Sequence, residues 1–253
     1  MSKNLSSFKI LPELVIFDLD DCLWSPETCH LNGELPSEKI NGNLLEKGVG
    51  VKKLKCGEKV LELHDGALLA LQQIFEHNNN LAKNDSQIIR LAVASSSRSW
   101  TKTEGEKTKK VAPRDIALKS LTYLEVFPGL SIKEVLDSTW RDHHNYQEII
   151  ENNCHCLIGS GPPPQKYKID PFVESDCNCN LNRNKSLSHF PRLKEKLRIP
   201  YEKMLFFDDS KYFNHVKKVR ENCVGVTCYK TPRGCQIDEW YGGLQKFCEN
   251  NQN

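Results

Sequence analysis

Five short runs along the chain are mainly apolar: 14–19 (LVIFDL), 88–95 (IIRLAVAS), 156–160 (CLIGS), 203–209 (KMLFFDD) and 223–229 (CVGVTCY). They are rich in Val, Ile, Leu and Phe and do not alternate with polar positions. Strands of a parallel sheet, covered on both faces, read this way. Between them the period changes to that of a helix. Residues 66–78 place Leu69, Leu71, Ile74 and Phe75 on one face; 188–199 do so with Phe190, Leu193 and Leu197; 210–222 with Phe213, Val216 and Val219. A last helix is expected over 238–250, although Gly242 and Gly243 weaken its pattern. Strands that alternate with helices predict an α/β fold: a Rossmann-like, doubly wound, mainly parallel sheet with helices on both faces.

Two stretches break the alternation. Residues 25–62 are polar and glycine-bearing with weak strand signals, and read as a small flap after the first strand. Residues 128–184 read as an insertion whose second half, with its PPP and CNC stretches, is irregular. With 253 residues, the expectation is a single domain over 1–253 that carries both.

Charge adds little. The formal net charge of +2 gives no field that would favour nucleic acid, and neither nucleic acid nor membrane is expected as a partner. No run approaches the roughly 18 apolar residues of a spanning helix. The N-terminal MSKNLSSFKI lacks the apolar core of a secretory signal, so the chain reads as cytoplasmic, with the nucleus also open. Its eleven cysteines then read as reduced thiols rather than a disulfide framework. Cys154, Cys156, Cys177 and Cys179 could make a tetrahedral zinc site, but their C-x-C spacing is not the usual one and Cys156 is wanted in a strand.

The chemistry collects where the apolar runs end. The first run ends in Asp18, Asp20 and Asp21; the fourth ends in Asp208 and Asp209. In open α/β sheets the active site lies beyond the carboxyl ends of the strands. If these two strands are neighbours, their carboxylates crowd one crevice and need a compensating cation, and an all-oxygen set favours Mg²⁺. Mg²⁺ beside substrate phosphate points to phosphoryl chemistry, with one aspartate as nucleophile and a second, two residues on, as acid and base. A single aspartate at a strand end is commonly only a turn or cap residue; two such ends together argue for a site.

These residues carry a resemblance. DLDDCLW (18–24) resembles the first motif of the haloacid dehalogenase-like hydrolases, in particular their magnesium-dependent phosphatase branch. LAVASSSRSW resembles that branch's second motif, NKSLSHFPRLKEKLRIPYEKMLFFDDS its third and fourth, and GVTCYKTPRG its last strand and loop. The four blocks occur in order over about two-thirds of the chain. The resemblance implies a Mg²⁺-dependent phosphatase that forms an aspartyl-phosphate. Asp18 would be nucleophile and metal ligand; Asp20 would be acid/base and bind the metal through its carbonyl. Leu19 would bind phosphate through its N–H, and Ser97 and Arg98 with their side chains, Ser95 and Ser96 being alternatives to Ser97. Lys185 would neutralise the nucleophile and the phosphoryl group. Asp208 and Asp209 would be metal carboxylates, either of them inner-sphere.

Cys22 departs from the usual Thr, and Asp21 from the usual bulky residue. Cys22 reads as a small buried thiol, while the charge of Asp21 needs a home, such as solvent. Trp24 and Trp100 read as core or as substrate wall, and His189 as a helix-start or packing residue. The substrate class is a phosphorylated small molecule such as a phosphosugar, or a phosphopeptide. A phosphotyrosine or phosphoserine protein phosphatase and a catalytically silent binding protein stand as alternatives.

Overall fold

The computed structural model describes residues 4–81, 87–97, 111–151, 156–158, 181–211 and 213–252. Its first strand, β1 (Leu14–Phe17), is buried at all four positions. β2 (Trp24–Ser25), β3 (Glu38–Asn43), β4 (Val49–Cys56) and β5 (Lys59–Leu63) follow, then α1 (Asp65–Asn80) and β6 (Arg90–Ser95). The middle of the chain holds α2 (Pro113–Tyr123), β7 (Glu125–Phe127), β8 (Leu130–Ser131), α3 (Ile132–Ser138), α4 (Tyr146–Glu151) and β9 (Cys156–Ile158). The last part holds α5 (His189–Leu197), β10 (Met204–Asp208), α6 (His215–Asn222), β11 (Thr227–Lys230) and α7 (Ile237–Asn250).

All five apolar runs enter one parallel sheet, in the order β11-β10-β1-β6-β9. Successive side chains on a strand point to opposite faces, and the core divides accordingly. Val15, Phe17, Val93, Leu205 and Phe207 join one cluster with apolar residues of α1, α2, α3 and α7. Leu14, Ile16, Ala94, Met204 and Phe206 join a second with α4, α5 and α6. Helices thus cover both faces, as the apolar runs require.

The paired glycines leave α7 unbroken because they fit its packing. A Cβ on Gly243 would lie 2.3 Å from the Phe207 ring, and one on Gly242 2.3 Å from the Tyr229 hydroxyl. The helix expected from 210 starts instead at His215. Ser210 and Asn214 both have positive φ (54° and 47°), which no helix accepts. Phe213, expected on the buried stripe, is therefore outside the helix and 43% exposed.

Residues 25–62 supply most of a second, antiparallel sheet of order β2-β5-β4-β3. One side buries Val51, Leu54, Leu61 and Leu63 against the same cluster as α1. The other carries charge, with Lys53 and Glu62 directly paired across β4 and β5 at 3.0 Å. From the start of the 128–184 segment, α3 buries Ile132, Val135 and Leu136, and Trp140 is fully buried. Cys156 is buried in β9, while Cys154, Cys177 and Cys179, with most of the irregular stretch, lie outside the described residues. Among the described residues no helix is long and apolar enough to cross a membrane.

Candidate active site

β1 and β10 are direct neighbours, so their carboxyl ends lie side by side; the Asp18 N–H donates to the Phe207 carbonyl at 2.9 Å. Carboxylate oxygens of Asp18, Asp208 and Asp209 all lie within 4.8 Å of one another, and all three residues are buried. Lys185, from the turn before α5, enters between them with no solvent exposure. Its Nζ is 2.8 Å from Asp18 Oδ1 and 2.6 Å from Asp208 Oδ2.

The electrostatics follow from three buried acids facing one ammonium. Burial, opposed by Lys185 and reinforced by the neighbouring aspartates, raises Asp18 well above the usual carboxylate range. Asp209 is pushed up to about 6, first by burial and then by Asp208. Burial also works against the charge of Lys185, but Asp18 and Asp208 outweigh it and hold the ammonium above its ordinary value. The cluster is short of positive charge.

The two aspartates of β10 are not equivalent. Asp208 is fully buried; one carboxylate oxygen takes Lys185 and the other accepts the Ser210 N–H at 2.7 Å. Asp209 lines a cleft of about 330 Å³, together with Asp18, Asp20 and Ser97.

The turn after β1 is wound tightly. The Leu19 carbonyl accepts from the N–H groups of Cys22, Leu23 and Trp24, and the Leu19 N–H donates to Asp18 Oδ1 at 2.8 Å. Asp21 takes a positive φ of 54°, a conformation that Asp tolerates better than most residues. Its carboxylate pairs with Lys211 at 3.0 Å, which gives its charge a home. Cys22 is buried, and burial raises its thiol well above the ordinary value. The Thr231 hydroxyl donates to its sulfur at 3.4 Å.

Asp20 is gripped on both oxygens. Oδ1 accepts from the Trp24 indole at 3.1 Å and from the Thr28 N–H at 3.0 Å; Oδ2 accepts from the Thr28 hydroxyl at 2.9 Å and the Ser97 hydroxyl at 2.7 Å. Trp24 is thus both core and holder of a site carboxylate. Of the alternative serines, Ser95 faces Ser97 hydroxyl to hydroxyl at 3.1 Å, whereas the Ser96 hydroxyl donates to the Arg183 carbonyl. Arg98 and Trp100 lie outside the described residues. His189 begins α5 fully buried, with Nε2 3.0 Å from the Ser95 carbonyl, and burial lowers it to about 3.

Several groups escaped the sequence reading. Thr28 lies in a polar stretch with no periodic signal, and only the fold shows that it reaches Asp20. His215, buried by its own helix start, lines the cleft; burial and then Lys185 lower it to about 3. Arg183, Lys211, Phe213 and Cys29 are the exposed lining residues and give the cleft a mouth that is largely cationic and aromatic.

Residues 168–250 match the family described as Acid Phosphatase. A 63-residue stretch is 33% identical to magnesium-dependent phosphatase 1 of Homo sapiens, which covers 25% of this chain and 34% of that protein. The chain thus spans about a third of the length of that curated relative. The N-terminal part of BF1531 from Bacteroides fragilis, which contains a phosphatase domain complexed with Mg, aligns over 94% of this chain and 40% of its own. At 14% identity and a TM-score of 0.34, the likeness is too loose to bear on function. The family match covers Lys185, Asp208 and Asp209 with the strands β10 and β11, so this part of the chain is similar to acid phosphatases.

Proposed function

We propose that this chain is a Mg²⁺-dependent phosphatase that hydrolyses phosphomonoesters through an aspartyl-phosphate on Asp18. One observation carries the reading: Asp18, Asp208, Asp209 and Lys185 converge at the carboxyl ends of adjacent strands, at the edge of an open cleft. A binding module has no need of a buried nucleophile, acid/base and lysine together.

The donor set fits Mg²⁺. It is all oxygen, and its acids are raised for want of positive charge. Asp18 and Asp209 would hold the ion, with the Asp20 carbonyl, while Asp208 is committed to Lys185 and the Ser210 N–H. When bound, the ion supplies positive charge to the phosphoryl oxygens.

In the first step a carboxylate oxygen of Asp18 attacks phosphorus, and the bond to the leaving oxygen breaks. Asp20, oriented by Trp24 and Thr28, gives that oxygen its proton. In the second step Asp20 takes a proton from water, the water oxygen attacks phosphorus, and phosphate leaves Asp18. Lys185 neutralises Asp18 and the phosphoryl oxygens through both steps; on substrate binding the Leu19 N–H turns from Asp18 Oδ1, and the Ser97 hydroxyl from Asp20 Oδ2, to donate to those oxygens, leaving Trp24 and Thr28 to hold Asp20. A leaving group that extends past Arg183 and Phe213 meets a cation and an exposed ring, which suits an anionic or aromatic group, from a small phosphometabolite or a phosphopeptide.

The test is release of p-nitrophenol from its phosphate ester. Turnover is expected with Mg²⁺ and lost with EDTA or in Asp18→Asn, whose fold should be intact by circular dichroism. Turnover that survives in Asp18→Asn overturns the assignment.

A further inference from the structure

A second group of side chains of metal-ligating type lies on the turn that follows the Asp18–Trp24 loop. Thr28–His30 form one 3-10 turn, closed by the His30 N–H donating to the Glu27 carbonyl at 2.9 Å. Side chains three apart eclipse in such a turn, so Glu27 and His30 stand on one side, with Cys29 next to them. A Glu27 carboxylate oxygen, the Cys29 sulfur and a His30 ring nitrogen all lie within 4.8 Å of one another. The Cys29 thiol already donates to Glu27 at 3.1 Å.

Sulfur, imidazole and carboxylate make a donor set for Zn²⁺, not for Mg²⁺. Tetrahedral zinc with its usual bond lengths sets its ligands roughly 3.3–3.8 Å apart, so rotation of surface side chains brings these three into place. Their backbone is fixed from beneath. Thr28, between Glu27 and Cys29, is fully buried, and both its N–H and its hydroxyl are bound to Asp20. Glu27 and Cys29 also line the cleft.

We infer that Glu27, Cys29 and His30 form a zinc-class cation site at the mouth of the cleft, separate from the three-aspartate centre. Three protein ligands leave the fourth position to water or to an anion in the cleft. Binding displaces the thiol proton to solvent. An ion held there narrows the entrance, so Zn²⁺ inhibits this protein by a route that excess Mg²⁺ does not relieve. The site itself does not depend on the phosphatase reading.

Cobalt titration of the reduced protein tests it, because a thiolate ligand gives Co²⁺ a charge-transfer band in the near ultraviolet that carboxylates do not. The band is expected in the wild type and in Asp209→Asn, and is expected to be bleached by Zn²⁺. It should be absent in Cys29→Ser, and His30→Ala should need at least tenfold more Co²⁺ to develop it. Cys29 and His30 are exposed, so both variants should fold. No band in the wild type, or an unchanged band in Cys29→Ser, overturns the site; the latter result assigns the thiolate to another cysteine.

Discussion

The Lys185 ammonium lies 2.6 Å from Asp208 and 2.8 Å from Asp18, and neither it nor Asp208 has any exposure to solvent. Removal of one member of a buried pair leaves the other charged and unpaired, at a typical cost of about 3–5 kcal/mol. Lys185→Met should therefore lose stability of that order in urea unfolding, along with turnover. A variant as stable as the wild type would mean that the aspartates are protonated rather than paired.

Asp209 and Asp208 should separate in their effects. Asp209 lines the cleft and is the proposed Mg²⁺ ligand, so Asp209→Asn should keep the fold and raise the Mg²⁺ needed for half-maximal turnover by at least tenfold. Asp208→Asn removes one of the two carboxylates paired with a buried lysine and should show mainly as a lower melting temperature. Reversal of the two phenotypes would exchange their roles.

Thr28 acts through Asp20. Thr28→Val keeps the shape and removes one donor from a site carboxylate, which costs about 1–2 kcal/mol. If most of that falls on the transition state, kcat drops roughly tenfold, with KM little changed. An unaltered kcat would show that Trp24 and the Thr28 N–H suffice to orient the acid.

His189 gives a pH dependence of known sign. Unfolded, it binds a proton near 6.5; folded, burial holds it neutral down to about 3. Between those values the unfolded state carries more protons, so the contribution to stability is full above pH 6.5. It is lost as pH falls, at about 1.4 kcal/mol per pH unit. Asp209, raised to about 6, acts in the opposite sense, so the comparison must be with a variant. From pH 6 to pH 5 the wild type should lose about 1 kcal/mol relative to His189→Asn; parallel profiles would mean that the imidazole is charged in the fold.

What could be read from the sequence follows from burial. Strands covered on both faces leave mainly apolar runs, and acids at their ends stand out against them; hence Asp18, Asp208 and Asp209 were found with their strands. The second sheet hid because one of its faces is charged, so that Lys52, Lys53 and Glu62 dilute the signal of Val51, Leu54 and Leu61. Two missed helices did carry signals. Pro113 opens α2, and Ser131 with Glu134 forms the capping box of α3. Thr28 and His215 had none, because their roles are set by what they meet across the fold. Phe213 was misplaced by its spacing, which the left-handed Ser210 and Asn214 interrupt.

The order β11-β10-β1-β6-β9 sets β1, the first of these five strands along the chain, in the middle of the sheet. A chain leaving the ribosome presents Leu14–Phe17 with both edges bare until residues 90–95 arrive on one side and, more than a hundred residues later, 204–208 on the other. Bare apolar strand edges invite pairing with other chains. The first strand thus needs shelter until β10 is made, and the pocket of acids at its end is assembled only once residues 204–209 have emerged.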